Sequence, residues 1–248
     1  MRGRLYFATS QLIWAPGVSF FSFFQAHPFM ITWWESVDDE AQNVSLLIKA
    51  RDGFTDKLLR RSTPGDWILT VVDGPYGSAS NAADYGSVVM FATGIGIAAQ
   101  IPYIKALIRD YREHKARTKR ISLFWQLDHT GEFDWVADWM DQLLEEDKDY
   151  ILHITLFRPP SKSADRLCKH GQHNRVSEIP GTMNPDEILY NECSLRAGRL
   201  LVTVSTNSSL RDQVRRLIQK GMDEGIKLLE LEFQPMEKSV VWTTKAPV

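Results

Sequence analysis

The chain has 248 residues, 44% of them hydrophobic, enough for one large domain or two modest ones, each with its own core. A formal net charge of −2 excludes a global field that would draw nucleic acid or an anionic membrane, so an anion site must be built from local groups. Cys168 and Cys193 have neither metal-ligand spacing nor the density of a disulfide scaffold, and the apolar run 18–24 is far short of the ~20 residues a membrane helix needs.

In chain order, short strands are expected at residues 4–8, 18–24, 29–32, 44–50 and 67–72, punctuated by Pro16-Gly17, Asp52-Gly53 and Pro64-Gly65. One helix, 55–61, interrupts them. This spacing predicts an N-terminal antiparallel β-barrel or sandwich, and the abrupt opening strand suggests a start truncated by one piece. Asp73-Gly74-Pro75-Tyr76-Gly77 reads as a tight turn between two domains. Beyond it the rhythm becomes strand then helix: strands at 88–92, 121–126, 151–157, 200–205 and 227–233, helices at 97–115, 133–146, 186–191 and 210–222. Such alternation predicts a doubly wound α/β domain with a parallel sheet. The domains are set at residues 1–83 and 84–248, with a polar insertion at about 159–185.

The stretch around which the chain is organised is Val88 to Pro102, an apolar strand that breaks at Gly94 and Gly96 and opens a helix at Ile97. Free N–H groups and the positive end of the helix dipole face that turn, which suits a dinucleotide phosphate. The same logic applies to Gly53 and Thr55 at the start of the helix at 55–61, where Thr55 also reads as an N-cap. Lys49 or Arg51 would add charge there.

His27-Pro28-Phe29, the 73–77 turn, the 94–102 segment and Phe233 near the chain end, in that order, resemble the set found together in the ferric-chelate reductase and NADPH oxidase family, within the ferredoxin–NADP reductase superfamily. The chain looks like the FAD and NADPH half of a fungal-type ferric reductase. The resemblance implies FAD in the barrel and NADPH in the α/β domain, with haem only in a membrane domain not present in this sequence. Hydride would pass from nicotinamide to flavin, and electrons onward through that haem domain, supplied in cis or in trans, to a ferric chelate. The place of work would be the cytosolic side of a membrane, the chain by itself being soluble, with no metal site and no nucleic-acid partner. The flavin would lie against His27, Pro28, Phe29 and Thr32, and its pyrophosphate against Arg51, Gly53 and Thr55. Gly74, Pro75, Tyr76 and Gly77 would join the domains at the cofactors. Thr93, Gly94, Gly96 and Ile97 would hold the NADPH pyrophosphate, Trp125 would stand at the carboxyl edge of the sheet, and Arg158 would take the 2′-phosphate. Ser205, in the place of a family cysteine beside the nicotinamide, and Phe233, shielding the flavin, are the expected catalytic pair. Met30 and Trp33 stand where family members carry hydroxyls. Two alternatives follow: a superoxide-forming NADPH oxidase-type module, or an impaired remnant acting as a binding module.

Overall fold

The structure, a computed structural model, describes residues 10–14, 27–37, 40–76, 81–159, 168–170, 175–220 and 225–231. The strands expected at 4–8 and 18–24 lie outside them, as do Gly77 and Phe233.

The N-terminal unit is antiparallel. β1 (Ser10–Trp14) lies between β2 (His27–Phe29) and β5 (Val71–Tyr76), while β3 (Ile31–Val37) and β4 (Glu40–Leu46) form a hairpin. Successive side chains of a strand point to opposite faces, so the neighbours Trp33 and Trp34 enter different cores. Trp34 packs with Ile31 and Leu46 inside the unit, and Trp33 joins the main hydrophobic cluster of the α/β domain. Helix α1 (Phe54–Arg61) follows the hairpin. Two expectations fail here. Among the described residues, 67–70 join no ladder, leaving Trp67 98% exposed, and residues 73–76 continue β5 instead of turning. Pro75 is tolerated because β5 is the outer strand of its sheet, where a missing N–H breaks no central ladder.

In the α/β domain, β6 (Ser87–Thr93), β7 (Arg120–Gln126), β8 (Leu152–Arg158), β10 (Val176–Pro180), β11 (Leu200–Ser205) and β12 (Ile226–Glu230) are parallel, in the order β12-β11-β6-β7-β8-β10. A short strand, β9 (Cys168–His170), adds antiparallel to β10 at the edge. β6 and β11 are buried along their whole length, as central strands covered on both faces must be. Val88, Met90 and Ala92 meet α2 (Ile97–Arg112) and α3 (Ala137–Glu146), whereas Val89 and Phe91 meet α4 (Pro185–Leu195) and α5 (Ser208–Gln219). The doubly wound expectation therefore holds, with one correction. The segment at 159–185 is not merely a polar insertion, because it supplies β9 and β10 and places Arg175 in the interior.

The strand order reverses between β6 and β11. In open α/β sheets a crevice forms outside the carboxyl ends of the strands at such a reversal.

Candidate functional site

The carboxyl ends of β6 and β11 open onto a cleft of about 1040 Å³ whose far wall is the N-terminal unit. That is at the upper end of small-molecule and cofactor sites. His27, Phe29, Arg51, Phe54 and Thr55 line one wall, and Ile95, Ala98, Thr206, Arg211 and Arg215 line the other. The His27 ring stacks on Phe54, with centroids 4.2 Å apart and planes 16° from parallel. Burial pushes the His27 pKa below its usual value, so the ring is neutral at pH 7. Its Nε2 is buried and has no hydrogen-bond partner among the described residues. Buried polar atoms are nearly always paired, so this nitrogen is an opening for a ligand.

Next to that stack, α1 starts without a side-chain cap. Gly53 is the N-cap residue at φ +83°, a left-handed position that suits glycine. Thr55 is not the cap: its Oγ1 accepts the Arg51 N–H at 2.8 Å and donates to the Arg51 carbonyl at 3.3 Å. Asp56 is turned back to Arg60 at 2.8 Å. The first N–H groups of α1 are thus left for an anion, with Arg51 and Lys49 beside them on the same wall.

Across the cleft, Thr93 leads through the Gly94–Gly96 turn into α2. Gly94 sits at φ +45°, and the buried Trp125 indole donates from Nε1 to its carbonyl at 3.0 Å. At Gly96 a Cβ would lie 1.8 Å from the Ser205 carbonyl oxygen, so this glycine permits the close crossing of α2 over the end of β11. A buried polar network locks the crossing. Gln100 donates to Ser205 Oγ at 2.8 Å and to the Phe91 carbonyl at 3.1 Å, and accepts the Thr203 hydroxyl at 2.7 Å. Thr93 Oγ1 accepts the N–H of Asn207, whose side chain caps α5.

Carboxylates run against an anion: Asp52 and Glu230 line the cleft, Glu230 paired with Arg215 at 2.7 Å, and two more stand at the glycine turn. Asp128, just past β7, has a carboxylate oxygen 2.5 Å from where a Gly94 Cβ would be, and the buried Glu132 follows it. Lys49 reaches over from the N-terminal unit to both, at 3.4 Å each. Residue-type patterns do not single out Asp128 as a charge, Glu132, Ile95, Arg211 or Arg215, and they give Phe54 only as the aromatic between Gly53 and Thr55. The helix-start spacing at Ser208 is the available signal for the two arginines.

Of the residues expected from sequence, His27, Pro28, Phe29, Arg51 and Thr55 line the cleft. Gly53, Gly94 and Gly96 shape its two helix starts. Thr93, Ile97, Trp125 and Ser205 are buried behind the glycine turn; they hold it in shape, and the Ser205 hydroxyl is engaged internally rather than offered to the cleft. Thr32 is fully buried too, accepting the Leu47 N–H across the hairpin. Arg158 pairs with Glu178 at 3.3 Å, outside the cleft lining. For Gly74, Pro75 and Tyr76 the backbone course in β5 is what the structure describes.

Comparison with known proteins agrees with this layout. The family model described as ferric reductase NAD binding domain matches residues 85–218, and one described as FAD-binding domain matches residues 5–80. A probable cell surface ferric reductase, kap2 of Aspergillus oryzae, is 28% identical over 145 residues, 52% of this chain and 19% of that protein. NADPH oxidase 1 of Rattus norvegicus is 29% identical over 132 residues, 50% of this chain and 22% of that protein. The chain thus matches about a fifth of the length of these relatives. Among solved structures, an NADH-dependent reduced ferredoxin-NADP oxidoreductase superposes with a TM-score of 0.56 at 16% identity, covering 89% of this chain and 63% of that one. Among the described residues no helix is long and apolar enough to cross a membrane.

Proposed function

Because the chain belongs to the family of ferric reductase NAD-binding domains, with an FAD-binding domain ahead of it, we propose that it takes hydride from NADPH and delivers electrons toward a ferric chelate through a membrane haem domain. The observation that carries this reading is the shared cleft, with the His27–Phe54 stack and uncapped α1 on one wall and the glycine turn of α2 on the other. Bound FAD supplies the conversion of a two-electron hydride into single electrons. Phe29, Phe54 and His27 present flat faces to the isoalloxazine ring, with His27 Nε2 available to a ring or ribityl atom. The α1 N–H groups and Arg51 take the flavin pyrophosphate. Gly94 to Ile97 take the dinucleotide pyrophosphate at the start of α2, with Arg211 and Arg215 on the same wall. Phe233 remains the proposed cover of the flavin ring, and Arg158 the proposed partner of the 2′-phosphate, which requires it to exchange Glu178 for phosphate.

Purified chain loaded with FAD is expected to hold the flavin and to lose its visible flavin absorption when NADPH is added anaerobically, at a rate on the order of 1–10³ per second, the span of ordinary enzyme turnover. Failure to retain flavin overturns the proposal. Joined to a haem domain, the chain should reduce ferric citrate; superoxide formed in its place would favour the oxidase reading, to which the likeness to NADPH oxidase 1 points.

Asp128 sets the affinity for NADPH in this scheme. Its carboxylate is about half exposed and already paired with Lys49, so its repulsion of a phosphate is worth about 0.5–1 kcal/mol. Asp128→Asn is accordingly expected to lower the KM for NADPH about two- to fivefold without raising kcat. An unchanged or higher KM in steady-state assays would show that the carboxylate does not face the phosphates.

A further inference from the structure

Lys105 lies on α2 eight residues beyond Ile97, about 12 Å along the helix from the glycine turn. Its ammonium group reaches the N-terminal unit, where it donates to the Trp34 carbonyl at 2.7 Å. It also stands 3.4 Å from the centroid of the Trp33 ring and 5.2 Å from that of Trp34. Trp33 is also stacked with Trp139 of α3, the ring centroids 5.8 Å apart and the planes 6° from parallel. A cation and two indoles from α2, β3 and α3 therefore meet at the seam between the two domains.

This seam is mechanically tied to both walls of the cleft. β3 follows β2 after the single residue Met30, and β2 carries His27 and Phe29; α2 begins directly at the glycine turn. A shift of β3 on α2 thus changes the separation of the two walls. We infer that Lys105 is a positioning residue, which fastens β3 to α2 and so sets how closely the flavin wall and the dinucleotide wall approach one another. The inference rests on the reading under Proposed function, in which hydride crosses that gap. Misplacement of reacting groups by about 1 Å can cost 10²-fold in rate.

Stability alone does not account for a lysine here. Burial lowers its pKa to about 8; Glu146 on α3 and Glu35 on β3 pull the other way, while Arg109 on α2 adds to the lowering. Solvated, the group titrates near 10.5. Keeping the charge in the seam therefore opposes folding below pH 8, and that opposition is relieved as pH rises from about 8 to 10.5. An unbranched apolar side chain of similar length would fill the space without the opposition, but without the directional contacts to the carbonyl and the ring.

Lys105→Met and Lys105→Arg in the full chain loaded with FAD separate these effects. Lys105→Met is expected to melt at the wild-type temperature or above it at pH 7. It should bind FAD and NADPH within twofold of wild type, and yet reduce its flavin at least tenfold more slowly in stopped flow. Lys105→Arg keeps a cation and a donor and should recover most of the rate. A second readout needs no turnover: in flavin-free protein, the fluorescence difference between wild type and Trp33→Phe should titrate with a midpoint near 8, and in the Lys105→Met background the titration should vanish. If the wild-type chain holds no flavin or is not reduced by NADPH, the functional reading fails, and the fluorescence still reports on the seam. A wild-type rate of flavin reduction in Lys105→Met, or a pH titration that survives it, overturns the positioning role.

Discussion

Gly96→Ala is expected to unfold the junction on which the proposed dinucleotide site depends. The added Cβ would meet the Ser205 carbonyl oxygen at 1.8 Å and its carbon at 2.9 Å. Both are backbone atoms of a central strand, hydrogen-bonded into the sheet between β6 and β12, so neither can turn aside as a side chain would. The start of α2 must then lift from β11, breaking the contacts of Gln100 with Ser205, Thr203 and the Phe91 carbonyl. Overpacking of this kind costs about 3 kcal/mol or more, a fall in Tm of roughly 6–12 °C for a chain of this size. NADPH-dependent flavin reduction should drop below detection even in the fraction that stays folded. Gly94→Ala is the control. Its Cβ meets the carboxylate end of Asp128, which can move, so the cost is mainly the left-handed φ of +45°, about 1–2 kcal/mol. Thermal and urea denaturation of the two variants should rank them in that order. A Gly96→Ala protein as stable and as active as wild type would show that α2 does not cross β11 so closely.

The contrast between those two glycines also marks what could be seen in the sequence. The strand-turn-helix at Val88 to Pro102 is legible because an all-apolar strand and helical periodicity are local signals. That Gly94 serves the left-handed turn and Gly96 the helix–strand crossing is not, since the second depends on Ser205, over a hundred residues away. Turn-forming residues at 73–77 suggest a hinge, yet pairing with β1 draws 73–76 into an edge strand, where tertiary context outweighs a local turn preference. His27-Pro28-Phe29 is readable as one wall of the cleft. Its stacking partner Phe54 is not, because proximity between the strand and α1 is set by the closing of the unit. Ser205 reads as a catalytic position only through the resemblance, in the place of a family cysteine, whereas its neighbours in space, Gln100 and the Phe91 carbonyl, have already engaged the hydroxyl.

The same blindness to long-range partners hides the residue whose loss should cost most outside the cleft. Arg175, within the stretch that reads as a polar insertion, is buried just before β10 and faces Asp147 between α3 and β8, with both side chains at most 4% exposed. Nη1 donates to Asp147 Oδ2 at 2.7 Å, and Nη2 to the Leu144 carbonyl at 3.0 Å. The two Asp147 oxygens also accept the N–H groups of Ile151 and Leu152, which start β8. Arg175→Met would therefore strand a buried carboxylate, and breaking a buried pair from one side costs about 3–5 kcal/mol, or roughly 6–20 °C in Tm. Adding Asp147→Asn to that variant should return part of the loss, since the stranded charge is removed while an acceptor for the β8 N–H groups remains. Both residues lie at the amino end of β8, opposite the cleft, so flavin reduction per folded molecule should stay within about twofold of wild type. Denaturant unfolding of the single and double variants checks this. A single variant within about 1 kcal/mol of wild type would mean that β10 is not held on the sheet by this pair.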